Sequence, residues 1–187
     1  MNNTISILAV SGSLRSNSSN TFILKAIIAM VPVHVHIYMY NGIGDLPHFN
    51  PEIEHDQLAA VENWRKHVQA ADGVIICTPE YAFGVPGVLK NALDWLVGSG
   101  ELNGKPVAAI SASPLATGGD KALSSLENTL TALGTLKSER TLLRIPFIPK
   151  KLDAAGILTD EVTRQQLNDV LNALLDAIQT IRNNPVE

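Results

Sequence analysis

The stretch Ile5-Ser-Ile-Leu-Ala-Val-Ser11, followed at once by Gly12 and Ser13, decides the fold of this chain. A continuous apolar run that ends in a turn of small residues is typical of a strand buried on both faces, as in a parallel sheet. Beyond the polar segment that follows it, apolar residues recur at helical spacing over residues 21–30. A buried strand, a polar loop and an amphipathic helix in this order indicate an α/β protein.

Strand and helix patterns alternate from there to the end of the chain. Four further strands are predicted from a period-two alternation and from apolar runs, over residues 33–39, 73–78, 106–111 and 142–145. Helices are predicted over residues 58–71, 86–96 and 121–133 and at the end of the chain, where Thr159 can cap the last helix. Five strands with helical crossovers predict a doubly wound parallel sheet in the order 2-1-3-4-5, between two layers of helices. All 187 residues are expected to form one domain.

In sheets of this kind, ligands bind beyond the carboxyl ends of the strands, at the point where the winding reverses. This rule selects three loops, which follow the first, third and fourth predicted strands: residues 11–20, 78–87 and 111–119. The chemistry of these loops therefore decides what the protein binds.

The first loop has the composition of an anion site. Its small residues lead into the N-terminus of a helix, where unpaired backbone N–H groups and the helix dipole favour negative charge. Ser13, Ser18 and Thr21 add hydroxyl donors, and the guanidinium of Arg15 suits phosphate oxygens. A solvated loop with a Ser or Asn helix cap is the alternative. The loop has neither the Gly-x-Gly-x-x-Gly of a dinucleotide fold nor the Gly-Lys-Ser/Thr of a triphosphate site.

The second loop places two aromatic residues, Tyr81 and Phe83, among Pro and Gly residues. These side chains can flank a flat aromatic ligand, or they can form a hydrophobic plug or a subunit contact. Glu80 has two interpretations: a catalytic carboxylate or, as we prefer, an acceptor for backbone N–H groups at the start of a helix.

Each of these two loops carries an extended motif. Residues 12–20 read Gly-Ser-Leu-Arg-x-x-Ser-x-Asn, and residues 79–95 read Pro-Glu-Tyr-x-x-x-x-Pro-Gly-x-Leu-Lys-Asn-Ala-x-Asp-Trp. Together, in this order and each after a predicted strand, they resemble the NADPH-dependent FMN reductase family of flavodoxin-like proteins, which includes bacterial quinone, chromate and azo-dye reductases. The resemblance extends from the first strand to about Leu133, and it implies a flavodoxin-like three-layer sandwich.

The resemblance implies an FMN-dependent enzyme that takes electrons from NADPH or NADH. It implies reduction of small acceptors (quinones, azo or nitro compounds, chromate or free flavin) by hydride transfer through FMN, and a homodimer or homotetramer. Because the flavin carries the chemistry, no catalytic side chain is expected. The cofactor-binding residues that it implies are Ser13, Arg15, Ser18 and Asn20 at the phosphate, Pro79, Glu80, Tyr81, Ala82 and Phe83 along the ring, and Ser113 and Gly118 in the third loop.

Two residues depart from the family's pattern. Family members commonly carry Asn after the Tyr and a small hydroxyl residue two positions further on, where this chain has Ala82 and Gly84. The missing Asn removes a polar group beside the ring, which Phe83 can offset by packing. Two alternative functions therefore stay open: a flavodoxin-type electron carrier, which would use a phosphate loop without Arg, and a flavin-free regulatory or binding module.

The composition limits the partners of the protein. A formal net charge of −4 and a pI of about 5.7 argue against a nucleic-acid partner. Cys77 is the one cysteine and falls in a predicted buried strand, which favours an inert thiol and excludes an intrachain disulfide. Without a signal-peptide pattern or a span of about 20 apolar residues, we expect a cytoplasmic protein with no membrane partner. His34 and His36 are expected on a solvated strand face rather than at a metal.

Overall fold

A computed structural model of the protein describes residues 4–53 and 58–184 and contains one five-stranded parallel sheet. The strands are β1 (Ile5–Ser11), β2 (Val35–Tyr40), β3 (Gly73–Thr78), β4 (Val107–Ala112) and β5 (Leu142–Ile145). Their order in the sheet is β2-β1-β3-β4-β5, and every neighbouring pair is parallel. The predicted flavodoxin-like order is confirmed.

The register of the strands brings their carboxyl ends to one edge of the sheet. Ser11 at the end of β1 lies opposite Cys77, and Thr78 at the end of β3 lies opposite Ser111. The winding reverses between β1 and β3, because the chain adds β2 on one side of β1 and the remaining strands on the other. The loops after β1, β3 and β4 therefore meet at this edge, as the sequence predicts.

Two layers of helices cover the sheet. Helices α1 (Ser19–Ile28) and α5 (Glu161–Asn183) pack on one face, and α2 (Ala59–Ala70), α3 (Gly87–Asp94) and α4 (Asp120–Ala132) pack on the other. In the described part of the chain, no helix combines the length and the apolar character that a bilayer span requires.

Each face of the sheet has its own hydrophobic core. All six residues of β3 are buried, and successive side chains point to opposite faces. Ile76 packs in the core that contains Trp64 of α2, whereas Ile75 and Cys77 pack in the core that contains Ile23 of α1. Burial on both faces explains why this strand has a continuous apolar sequence rather than an alternating one.

Two details of the predicted elements are wrong. Val33 precedes β2 and is 98% exposed, because the N–H of Val35 bonds back to the carbonyl of Pro32 and the strand begins only after this turn. Helix α5 is capped by Asp160 and not by Thr159. The carboxylate of Asp160 accepts the N–H of Thr163 at 2.9 Å, whereas the Thr159 hydroxyl donates to the carbonyl of Lys151.

Candidate functional site

A pocket of about 360 Å³ lies at the carboxyl edge of the sheet, where the winding reverses. The loops after β1, β3 and β4 form its walls, and the segment after β5 completes them. The lining residues are Ser13, Arg15, Asn17, Ser18, Ser19, Asn20, Pro79, Glu80, Tyr81, Ala112, Ser113, Pro114, Ile148 and Pro149. This set contains eight of the eleven predicted site residues.

The first wall is the N-terminus of α1. Ser18 is its N-cap and accepts the N–H of Asn20 at 3.3 Å. Further back, the Thr21 hydroxyl donates to the Ser11 hydroxyl at 3.0 Å, which ties the loop to the first turn of the helix. The first turn of α1 contains no acidic residue. The positive dipole end of α1 therefore lies at the pocket, with no acidic side chain in the first turn of the helix to offset it.

Polar side chains on this wall differ sharply in exposure. Ser13, Ser18 and Asn20 are buried, whereas Arg15 is exposed at the edge of the pocket. Buried hydroxyl and amide groups are costly to desolvate unless they find a partner. A cluster of such donors beneath an arginine suits a phosphate group, which needs several hydrogen bonds and a positive charge.

Asn20 is also linked to the sheet. The thiol of Cys77 on β3 donates to Asn20 Oδ1, with Sγ 3.3 Å from the oxygen. Cys77 is fully buried, and burial raises the pKa of its thiol far above the usual range. The thiol therefore stays protonated, in agreement with the unreactive role predicted for it.

The second wall is a tight hairpin. Tyr81 and Gly84 exchange two backbone hydrogen bonds of 3.0 Å, and the two residues between them have positive φ angles, 49° at Ala82 and 61° at Phe83. This is the geometry of a type I′ turn. Tyr81 is half-exposed and lines the pocket, whereas Ala82 and Phe83 lie outside its walls and the Phe83 ring is 80% exposed. That Phe83 packs against a ring stays a prediction.

Glu80 accepts backbone N–H groups, as we preferred from the sequence. Its Oε2 atom accepts the N–H groups of Lys121 and Ala122, at 2.9 and 3.0 Å, in the first turn of α4. The capped helix is not the one that follows Glu80 in the chain but the next one. Since the N-cap residue Gly119 has no side chain, Glu80 supplies the capping group and joins the second loop to the third.

The third wall is held by backbone bonds around Ser113. Its N–H donates to the carbonyl of Ile145, and its carbonyl accepts the N–H of Ile148. Gly118 lies behind the wall with φ at +65°, and its carbonyl accepts the Ser111 hydroxyl at 2.8 Å. A Cβ atom at Gly118 would lie 3.1 Å from the nitrogen of Pro146, so the close approach requires glycine. Gly118 shapes this loop but does not line the pocket.

Sequence reasoning missed the lining residues Ile148 and Pro149 after β5. The order of the sheet offers a signal for them, because the carboxyl end of β5 reaches the same edge as the other strands. It also missed Asn17 and Ser19 beside the predicted phosphate ligands.

Two other cavities lie away from these loops. A cleft of about 310 Å³ separates α1 from residues 155–158, and a polar depression of about 490 Å³ lies at the opposite edge of the sheet. Neither is at the carboxyl edge of the strands. His34 and His36 are exposed, and residues 4–53 and 58–184 contain no group of three or more His, Cys, Asp or Glu side chains that could hold a metal ion.

The polar groups of the pocket suit an anionic group on the α1 side. The polar groups on this side are donors, and the carboxylate of the pocket, Glu80, is engaged with α4. The doubly wound sheet, with its pocket at the carboxyl edge of the strands, is the architecture of a flavodoxin-like protein.

Comparisons with known proteins agree with this class. The sequence model of the NADPH-dependent FMN reductase family matches residues 5–144. An NAD(P)H-dependent FMN reductase of Pseudomonas aeruginosa is 34% identical over 185 residues, which cover 97% of this chain and 100% of that protein. A quinone reductase of Escherichia coli is 29% identical over 97% of this chain and 100% of its own length. The flavoenzyme FerB, an NAD(P)H:(acceptor) oxidoreductase from Paracoccus denitrificans, superposes with a TM-score of 0.85 at 30% identity, covering 95% of this chain and 98% of FerB.

The chain belongs to the NADPH-dependent FMN reductase family. It is a flavin-dependent oxidoreductase that uses FMN as cofactor and NAD(P)H as electron donor.

Proposed function

We propose that FMN binds in the pocket at the carboxyl edge of the sheet and that the enzyme reduces quinone-type small molecules there with electrons from NAD(P)H. The observation that carries the proposal is the cluster of buried donors at the N-terminus of α1, with Arg15 above it. Ser13, Ser18 and Asn20 bind the phosphate together with Arg15.

The protein's contribution is to hold and orient the cofactor. FMN would supply the hydride-transfer chemistry when bound, and the residues around it would act as ligands rather than as acids or nucleophiles. The dipole of α1 and the Arg15 guanidinium offset the charge of the phosphate. Tyr81 and Pro79 border the ring from the second loop and Ser113 borders it from the third. Glu80 keeps these two loops at a constant separation through its bonds to α4.

Quinones are the acceptor class that the relatives support. Besides the quinone reductase of Escherichia coli, a 2-hydroxy-1,4-benzoquinone reductase of a Burkholderia species is 32% identical over 90% of this chain. The half-exposed Tyr81 beside the pocket suits a flat apolar acceptor, because an aromatic ring can stack on another. The rates with azo or nitro compounds, chromate and free flavin as acceptors should be compared with the rate with a quinone.

A homodimer or homotetramer is part of the proposal, as is a cytoplasmic location. The support for self-association is a set of exposed apolar side chains on the loops that follow β1, β3, β4 and β5: Leu14, Phe83, Leu115 and Phe147. Exposed apolar residues gathered at one edge are typical of a surface that a second subunit covers. Light scattering of the purified protein measures this state, and a monomer at all concentrations would contradict it.

The test begins with the absorption spectrum and the FMN affinity of the purified protein. Arg15→Ala removes a charged hydrogen bond worth about 1.5–3 kcal/mol, so the Kd for FMN should rise at least about tenfold. Lys25→Ala is the matched control, because it removes the same charge from an exposed position on α1 outside the pocket. Equal affinities in the Arg15→Ala variant and the wild type would contradict the phosphate assignment.

Oxidation of NAD(P)H with a benzoquinone then separates the alternatives. The proposed enzyme turns over both substrates without a second protein. A protein that binds FMN but does not oxidise NAD(P)H would instead be an electron carrier. A protein that ignores added FMN would be a flavin-free module, and either result would refute the proposal.

A further inference from the structure

The side-chain amide of Asn20, one of the proposed phosphate ligands, is held by the side chain of Cys77 from the central strand β3. Asn20 lies in the first turn of α1 and is 3% exposed, yet it lines the pocket. Its backbone N–H is satisfied by the Ser18 hydroxyl, and its Oδ1 accepts the thiol of Cys77 from beneath. The other end of the amide, Nδ2, is therefore the end available to a ligand.

The hydrogen bonds of the buried side chains support this orientation of the Asn20 amide. In the described part of the chain, every fully buried side-chain nitrogen or oxygen has a partner. Asn20 Nδ2 donates to no acceptor among the described residues, so it must reach solvent, and the solvent next to Asn20 is in the pocket. An amide nitrogen carries two N–H donors and its oxygen carries none. Only the observed orientation presents donors to an anion.

We propose that Cys77 is a positioning residue for the cofactor phosphate: its thiol holds Asn20 Oδ1 against the sheet and so turns Nδ2 toward the phosphate. The inference rests on the proposed function, since it assumes that FMN occupies this pocket. Cys77 itself does not line the pocket, and Asn20 lies between it and the ligand. The protonated state of the thiol, which burial favours, is the state that donates.

The Cys77 thiol should therefore strengthen the binding of flavins that carry a phosphate and not of those that lack one. Without the thiol, the amide loses the contact that distinguishes its two orientations, and the flipped form presents an oxygen to the phosphate. We expect the Kd for FMN to rise about fivefold in Cys77→Ala, the size of effect typical for one neutral hydrogen bond. The Kd for riboflavin, which has the same ring but no phosphate, should rise less than about twofold.

The experiment measures the Kd of FMN and of riboflavin by flavin fluorescence for the wild type, Cys77→Ala and Cys77→Ser. Serine keeps an O–H donor at the same position, so Cys77→Ser should recover most of the FMN affinity. Should Cys77→Ala fail to fold, Cys77→Val fills the buried volume without a donor and replaces it in the comparison. In a protein that already carries Asn20→Ala, the substitution at position 77 should leave the ratio of the FMN affinity to the riboflavin affinity unchanged.

The outcomes separate the two proposals. Equal losses for FMN and riboflavin, or a Cys77→Ser variant as weak as Cys77→Ala, would mean that Cys77 only packs the core, and would overturn the inference. An unchanged FMN affinity in Cys77→Ala would overturn it as well, while leaving the proposed function intact. A wild-type protein that binds neither flavin would refute the proposed function itself.

Discussion

Replacement of Glu80 by alanine tests the contact that joins two walls of the pocket. The carboxylate accepts the N–H groups of Lys121 and Ala122 at 2.9 and 3.0 Å and caps α4 from 41 residues away. Its loss leaves the first turn of α4 without a capping group, because Gly119 has no side chain to replace it. The perturbation therefore acts on stability and not on a reacting atom.

The expected cost follows from these contacts. Loss of a helix cap typically costs about 1 kcal/mol, and loss of a negative charge at a helix N-terminus costs roughly 0.3–1 kcal/mol more. Glu80 is partly exposed, so water can replace some of the lost bonds. We expect Glu80→Ala to lower the free energy of unfolding by about 1.5 kcal/mol. Glu80→Gln keeps an acceptor oxygen and loses the charge, and should lower it by about half as much.

Urea unfolding of the cofactor-free protein, followed by circular dichroism, measures both effects. Asp176→Ala is the matched control. It also removes a carboxylate, but one from an exposed pair with Arg140 far from the N-terminus of α5, for which we expect less than about 0.5 kcal/mol. A Glu80→Ala variant as stable as the control would refute the capping role. If the turnover of such a stable variant fell by orders of magnitude, Glu80 would instead be a catalytic carboxylate, the alternative interpretation of this residue.

Three further results are expected. Hydrogen bonds from Lys151 and Thr163 lower the pKa of Asp160 to about 2. The stabilisation by the Asp160 carboxylate is therefore complete above about pH 4 and is lost as the pH falls through 2. The difference in unfolding free energy between the wild type and Asp160→Asn, measured at several pH values, should shrink over this range. Ala82→Asn should raise the free energy of unfolding by about 1 kcal/mol in urea titrations, because Asn tolerates the positive φ at this position better than Ala. Asn91→Ala removes the amide that accepts the N–H of Phe49 and donates to the carbonyl of Pro47. It should lower the free energy of unfolding by about 2 kcal/mol in the same assay, and make the chain around Pro47 and Phe49 easier to cleave in limited proteolysis.

The sheet could be predicted from the sequence because its pattern is local. The bounds of β1, β3 and β5 agree with their predicted ranges. In β3, which is buried on both faces, no polar residue interrupts the apolar run before Thr78. Right-handed crossovers leave few orders for five such strands, and the observed order is the doubly wound one among them. The same topology located the pocket at the ends of β1, β3 and β4 before any contact was known.

The start of α5 shows what local pattern cannot decide. Thr159 and Asp160 are both good N-cap residues, and adjacent in the chain, so either can begin the helix. The choice depends on Lys151, whose ammonium group lies 2.8 Å from the Asp160 carboxylate and whose carbonyl accepts the Thr159 hydroxyl. Lys151 comes from the segment after β5, and its position is known only once that segment has folded.

The same limit applies to the atoms that face the cofactor. The motif of the second loop predicts that Glu80 and Tyr81 are near the ring, but the partner of Glu80 is 41 residues further along the chain. The bond between Cys77 and Asn20 joins residues that are 57 positions apart and belong to different elements. Neither pairing has a signature in periodicity or spacing, because each depends on the distance between two side chains across the finished sheet. The topology of the sheet thus determines where the pocket lies, and contacts between distant residues determine which of its atoms a ligand meets.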